Sequence, residues 1–136
     1  MGIATPAAAP EWVLRIMNEI DTLRFGDGFA RMTDDTEMYF GTEHVVGVEA
    51  IKAFFVRIDA PLNITHRVLE CWTAADGVHL LRGEATMAKK TRPDVVVRAP
   101  FMHIFQLGAD GTKSGAPAYI KTWRITAGPL RTDAVM

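Results

Sequence analysis

With a single cysteine, Cys71, the chain cannot close an internal disulfide, and its four histidines show none of the paired spacings of a metal site. Stability must therefore come from an apolar core, which 136 residues are enough to build without metal or disulfide. No sign of charge dominates: 15 basic and 16 acidic residues are spread along the chain, which argues against nucleic acid or an anionic membrane as partner. No apolar run approaches the ~18 residues of a membrane span, and residues 1–10 lack the basic and apolar regions of a signal peptide. Serine occurs once, at Ser114, without a G-x-S-x-G setting; the surrounding glycines do not make a phosphate loop, because Pro117 falls where a helix would begin. The simplest reading is a cytoplasmic protein with no metal and no cofactor.

What is present is a long, apolar, β-branched stretch, DVVVRAPFMHIFQL at 94–107, with one polar ring near its centre. As a strand it puts Phe101, His103 and Phe105 on one face, since side chains alternate. A histidine between two phenylalanines is either a satisfied core residue or the polar end of a pocket.

Around it the periodicities alternate between 3.6 and 2. Trp12, Ile16, Ile20 and Leu23, widened by Val13 and Met17, predict an amphipathic helix over 11–24, begun at Pro10 and ended by Gly26. Asp27 can cap a short second helix with Phe29 and Met32 inward. Thr36, Met38 and Phe40 predict a half-buried strand closed by Gly41, with Tyr39 on the opposite face. His44 falls in a loop. Gly47 opens a third helix with Ile51, Phe54, Phe55 and Ile58 on its apolar face, stopped by Pro61. Strands then occupy 64–73, 78–89, 94–107 and 118–126, with Asp76-Gly77 as a hairpin signal and a glycine-rich loop over 108–117. Arg82, Glu84 and Arg98 have outer-face parity. The fold class is α+β: one antiparallel sheet with helices on one face. Residues 1–10 and 131–136 read as tails flanking one domain over 11–130.

Phe25-Gly26-Asp27, Asp34-Asp35, the Gly47-to-Ile51 helix start and the run Trp123-Arg124-Ile125 to Pro129-Leu130 occur in an order and spacing that resemble the nuclear transport factor 2-like superfamily. Within it the resemblance is to SnoaL-like polyketide cyclases, ketosteroid isomerases and scytalone dehydratases. It implies a curved, cone-shaped sheet wrapped around the first helix, a mostly apolar cavity between them, and a homodimer through the outer sheet face. The fold does not fix the reaction. The ketosteroid isomerase base falls at Phe40, its acidic donor at Phe101 and its tyrosine near Glu19, which argues against that chemistry. The Tyr-Asp pair that closes the first helix in scytalone dehydratases falls at Leu23-Arg24. His66 alone matches, as a histidine at the start of the second strand.

His66 and His103 are the candidate acid and base, since imidazole exchanges a proton near neutral pH. Glu19, on the edge of the first helical stripe, is a candidate orienting group if it faces the cavity, and an exposed carboxylate otherwise. His44 and His79 are expected in solvent. Trp12, Ile16, Phe40, Phe54, Trp72, Phe101 and Trp123 form the expected apolar lining, and would equally suit a filled core. Two functions are compatible with these residues: a cofactor-free lyase or isomerase acting on a small hydrophobic molecule by dehydration, isomerisation or aldol-type cyclisation, or a non-catalytic binding or dimeric assembly module.

Overall fold

The computed structural model of the protein describes residues 5–74, 77–108 and 119–128. Among the described residues, seven strands and two α-helices are arranged in the order β1 (Thr5–Ala7), α1 (Glu11–Thr22), β2 (Met32–Phe40), β3 (Glu43–Val46), α2 (Val48–Asp59), β4 (Leu62–Ala74), β5 (Val78–Lys89), β6 (Arg92–Leu107) and β7 (Ile120–Ala127). One sheet holds all the strands, in the order β1-β4-β5-β6-β7-β2-β3. The architecture is α+β, a curved sheet with both helices on its concave face, α1 against β4 and α2 against β2, β3 and β4. No helix among the described residues is long and apolar enough to cross a membrane.

α1 forms because its apolar residues recur at helical spacing, and Val13, Ile16, Met17 and Ile20 are each at most 2% exposed. Each such burial contributes about 1.5–3 kcal/mol, more than the propensity of a twelve-residue helix can. The helix stops at Leu23, earlier than Gly26, with φ at +58°. The cause is Glu19. Its carboxylate accepts the backbone N–H groups of Gly26, Gly28 and Phe29 at 2.9, 2.8 and 3.0 Å, so the chain must turn back at once. Gly28 packs so closely that an added Cβ would lie 2.9 Å from both Glu19 and Ile16. Asp27 does not cap the next element, a single 3₁₀ turn at Phe29–Arg31; it pairs with Arg15 at 3.0 Å.

The hairpin strands pair as the alternation predicts, β4 with β5 and β5 with β6 antiparallel. Four features differ. β2 lies parallel to β7: they are distant in sequence, and no hairpin fixes their relative direction. The β2 ladder shifts register between Met32 and Glu37, where buried Thr36 donates to the Ile120 carbonyl at 2.6 Å and accepts from the Thr33 N–H at 2.8 Å. His44 lies in a strand, β3, and stacks on Tyr39 at 4.4 Å rather than standing free in a loop. Residues 5–7, within the expected N-terminal tail, pair with β4. Ser114, most of the 108–117 loop, the Pro129-Leu130 end of the last motif and the 131–136 tail lie outside the described residues.

Candidate functional site

Small residues leave room at the centre of the concave face. Ala85 on β5 and Ala99 on β6 line it, and Ala85 pairs with both Ala99 and His66, while Gly83 on β5 is covered by the Phe101 ring. Gly83 has no alternative: a Cβ there would lie 2.1 Å from the Arg67 carbonyl oxygen and 2.4 Å from the Phe101 ring. The result is a cavity of about 240 Å³ lined by Ile20 of α1, Phe55, Ile58 and Asp59 of α2, and inward side chains of the sheet that include Phe40, His66, Phe101 and His103. Larger recesses are surface grooves. The one of about 510 Å³ beside Trp12 places Arg15 between Glu11 and Asp27, so its charges satisfy one another.

His66 and His103 face this cavity from β4 and β6 with ring centroids 6.4 Å apart. In their neutral forms they take opposite tautomers. His66 Nδ1 lies 2.5 Å from Asp21 Oδ1, and the same carboxylate accepts the His66 backbone N–H at 3.0 Å through Oδ2. A carboxylate accepts, so Nδ1 carries the proton and Nε2 keeps its lone pair when the ring is neutral. His103 is inverted. The Trp123 indole N–H can only donate, and it donates to His103 Nδ1 at 3.1 Å, so the proton of neutral His103 sits on Nε2. Burial, with a smaller contribution from His66, lowers the His103 pKa to about 3, so the ring stays uncharged in neutral solution.

Asp59, the last residue of α2, is 6% exposed and lines the same cavity. Its carboxyl makes no hydrogen bond to a described residue, and since no fully enclosed side-chain oxygen among the described residues lacks a partner, it keeps a small contact with solvent. Burial raises its pKa to about 6, with His66 opposing and Asp21 adding to the rise. The site therefore offers an imidazole oriented by a carboxylate, a neutral N–H donor and a carboxyl whose pKa is raised to about 6, in an apolar hollow. Solvent reaches its edge, where the His66 and Asp21 side chains are 10% and 14% exposed. No cluster of metal-ligating side chains occurs among the described residues.

Of the expected lining, Phe40 and Phe101 are in the wall. The others are elsewhere. Ile16 is fully buried in the core, Phe54 stands behind Phe40 at 5.2 Å, and Trp12 packs on Phe105 and His79 beside the surface groove. Trp123 is wholly buried behind His103 and reaches the site only through its N–H. Trp72 faces away because β4 bulges at Leu69: Val68 pairs with Gly83 but Glu70 with Arg82, so parity inverts, Cys71 turns inward and Trp72 turns out beside Leu80. Glu19 is not in the cavity; the turn after α1 uses both its oxygens. His79 is half-buried against Trp12 instead of in solvent, and burial lowers its pKa.

Sequence reasoning missed Asp21 and Asp59. Asp21 lies two residues before the expected Leu23-Arg24 position. Asp59 continues the buried Ile51–Phe55 stripe by one further helical turn, a periodicity that was there to be read.

Among solved structures the chain is similar to a candidate SnoaL-like polyketide cyclase from Shewanella denitrificans, with 9% identity, 87% of this chain and 88% of that one covered, and a TM-score of 0.70. A protein of ketosteroid isomerase-like fold from Catenulispora acidiphila, solved with trimethylamine, matches at 14% identity over 88% and 86% with a TM-score of 0.68. The fold is that of these SnoaL-like and ketosteroid isomerase-like structures. An epoxide hydrolase from M. tuberculosis shares this fold at 17% identity over 86% of this chain and 80% of that one, with a TM-score of 0.63. No protein-family model and no curated protein sequence matches the chain. The likeness shows the fold alone, so the reaction has to be argued from the side chains.

Proposed function

We propose that the protein binds a small, mostly apolar molecule in the 240 Å³ cavity and catalyses a cofactor-free proton transfer on it, with His66 as base. The observation that carries this reading is the Asp21–His66 pair, which leaves Nε2 as the ring atom free to act within the cavity. His66 Nε2 takes a proton from carbon. Asp21 holds the ring and stabilises the imidazolium that forms, so it is a positioning residue. His103, neutral and with its N–H on Nε2, donates a hydrogen bond to the oxygen on which charge develops. The phenylalanines and aliphatic side chains keep water from levelling these interactions. Dehydration, isomerisation and aldol-type cyclisation all contain this step. A homodimer through the outer face is supported by Met102, which is 42% exposed opposite Arg82.

The test uses 5-nitrobenzisoxazole, whose ring opens when a base removes its one acidic C–H proton. The wild-type protein is expected to accelerate the opening, and His66→Gln, verified as folded by circular dichroism, to lose about 100-fold or more. A rate that His66→Gln leaves unchanged overturns the reading in favour of a binding or assembly module.

A further inference from the structure

We propose that Asp59 is the acid of this site, giving a proton to an oxygen of the substrate while His66 removes one from carbon, so that the substrate is a small neutral alcohol with an acidified C–H next to its hydroxyl-bearing carbon. The inference rests on His66 being the base. It starts from what Asp59 costs. The residue is 6% exposed at the C-terminal end of α2, where the helix dipole is negative, and its carboxyl has only a small contact with solvent in place of a hydrogen bond to a described residue. The titratable groups around it are Asp21 from α1, His66 from β4 and His103 from β6; β5 adds Ala85 and Met87 and β7 adds Ile125 and Ala127, none of which ionises. Only His66 can carry a positive charge there, and Asp21 already pairs with it. Burial and the neighbouring Asp21 thus favour the neutral acid, with the pKa pushed up to about 6. A leucine would fill the position without that cost, and side chains that break local rules this way are expected where function requires them.

The other polar groups cannot perform the step. The N–H of neutral His103 can form a hydrogen bond to an oxygen but is too weak an acid to surrender its proton, and a departing hydroxide needs a proton outright. With Asp59 the step balances. The C–H electron pair becomes the new C=C bond as its proton moves to His66 Nε2; the C–O bond breaks with its pair on oxygen, which takes the Asp59 proton and leaves as water. The site is then left with a His66 imidazolium and an Asp59 carboxylate, and one proton passed from the first to the second restores it. The cavity volume of about 240 Å³ limits the substrate to a single ring or a short chain.

Two probes separate the acid from the base. 4-Hydroxy-4-phenylbutan-2-one must lose a hydroxyl to give its absorbing enone, whereas 5-nitrobenzisoxazole expels a phenolate that needs no proton. His66→Gln is expected to lose both reactions. Asp59→Asn is expected to lose about 100-fold or more on the alcohol and less than about tenfold on the benzisoxazole. Equal losses on both probes, or no dehydration by the wild-type protein, overturn the role of Asp59 and leave the base untouched. A rate on 5-nitrobenzisoxazole that survives His66→Gln overturns the base instead. Carbon-13 NMR of the Asp59 carboxyl, assigned by its loss in Asp59→Asn, should show titration near pH 6; a midpoint at the ordinary 3.8 also defeats the proposal.

Discussion

The Asp21 carboxylate grips His66 at two points, ring Nδ1 at 2.5 Å and backbone N–H at 3.0 Å. Forty-five residues separate the pair, which ties the last turn of α1 to β4 and fixes the ring relative to its own backbone. Asparagine at 21 has one acceptor oxygen for two donors and turns its NH₂ toward the other. Asp21→Asn is therefore expected to lower the rate on 5-nitrobenzisoxazole by about 10- to 100-fold and to destabilise the fold by about 1–3 kcal/mol. Steady-state rates and urea unfolding measured on the same preparation check both.

Trp123 sets the His103 tautomer, and that can be tested without any substrate. Trp123→Phe keeps an aromatic ring among Phe29, Phe55 and Phe105 but removes the only donor to Nδ1 among the described residues. Nitrogen-15 spectra of the wild type should show a protonated Nε2 and a bare Nδ1, and Trp123→Phe should show a mixture. Loss of the bond and of the indole's volume should together cost about 1–3 kcal/mol in urea unfolding.

Glu19 matters to the turn and not to the chemistry. Glutamine there keeps one acceptor for three buried or half-buried N–H groups and brings an NH₂ into their midst. Glu19→Gln is expected to lose about 2–4 kcal/mol of stability, read as a lower urea midpoint, while its rate on 5-nitrobenzisoxazole stays within about threefold of wild type.

The contrast between Glu19 and Asp21 shows what the sequence could and could not disclose. Both flank Ile20 on the edge of one helical stripe, and a helical wheel cannot tell which of them meets the sheet and which meets the loop after the helix. That depends on how α1 is rotated against β4, a tertiary fact. Trp72 was hidden for a related reason: one extra residue at Leu69 reverses the alternation from which its face was read. The sheet of long strands, the two helices and the shared face of Phe101, His103 and Phe105 were legible because each rests on periodicity over many residues. Asp59 was legible as well, as the next step after Ile51 and Phe55, but a carboxylate in that place reads as a helix end.

Asp59 should also appear in the pH dependence of stability. Its folded pKa, about 6, lies above the ordinary 3.8, so between those values the folded state binds more proton than the unfolded state. Stability from this group is complete below about pH 3.8, falls as the pH rises to about 6, and stays lost above it. His103 acts oppositely. With its pKa lowered from 6.5 to about 3, the folded state refuses a proton that the unfolded chain accepts, so its contribution is full above pH 6.5 and declines as the pH falls. The two slopes partly cancel in the wild-type curve, and the difference between wild type and Asp59→Asn isolates the carboxyl. Asp59→Asn is expected to gain on the order of 2 kcal/mol relative to wild type at pH 8 and almost nothing at pH 4. Urea unfolding at half-unit intervals between pH 4 and 8 measures that difference. A constant offset across the range would mean that Asp59 ionises freely in the folded protein, with no proton held for chemistry.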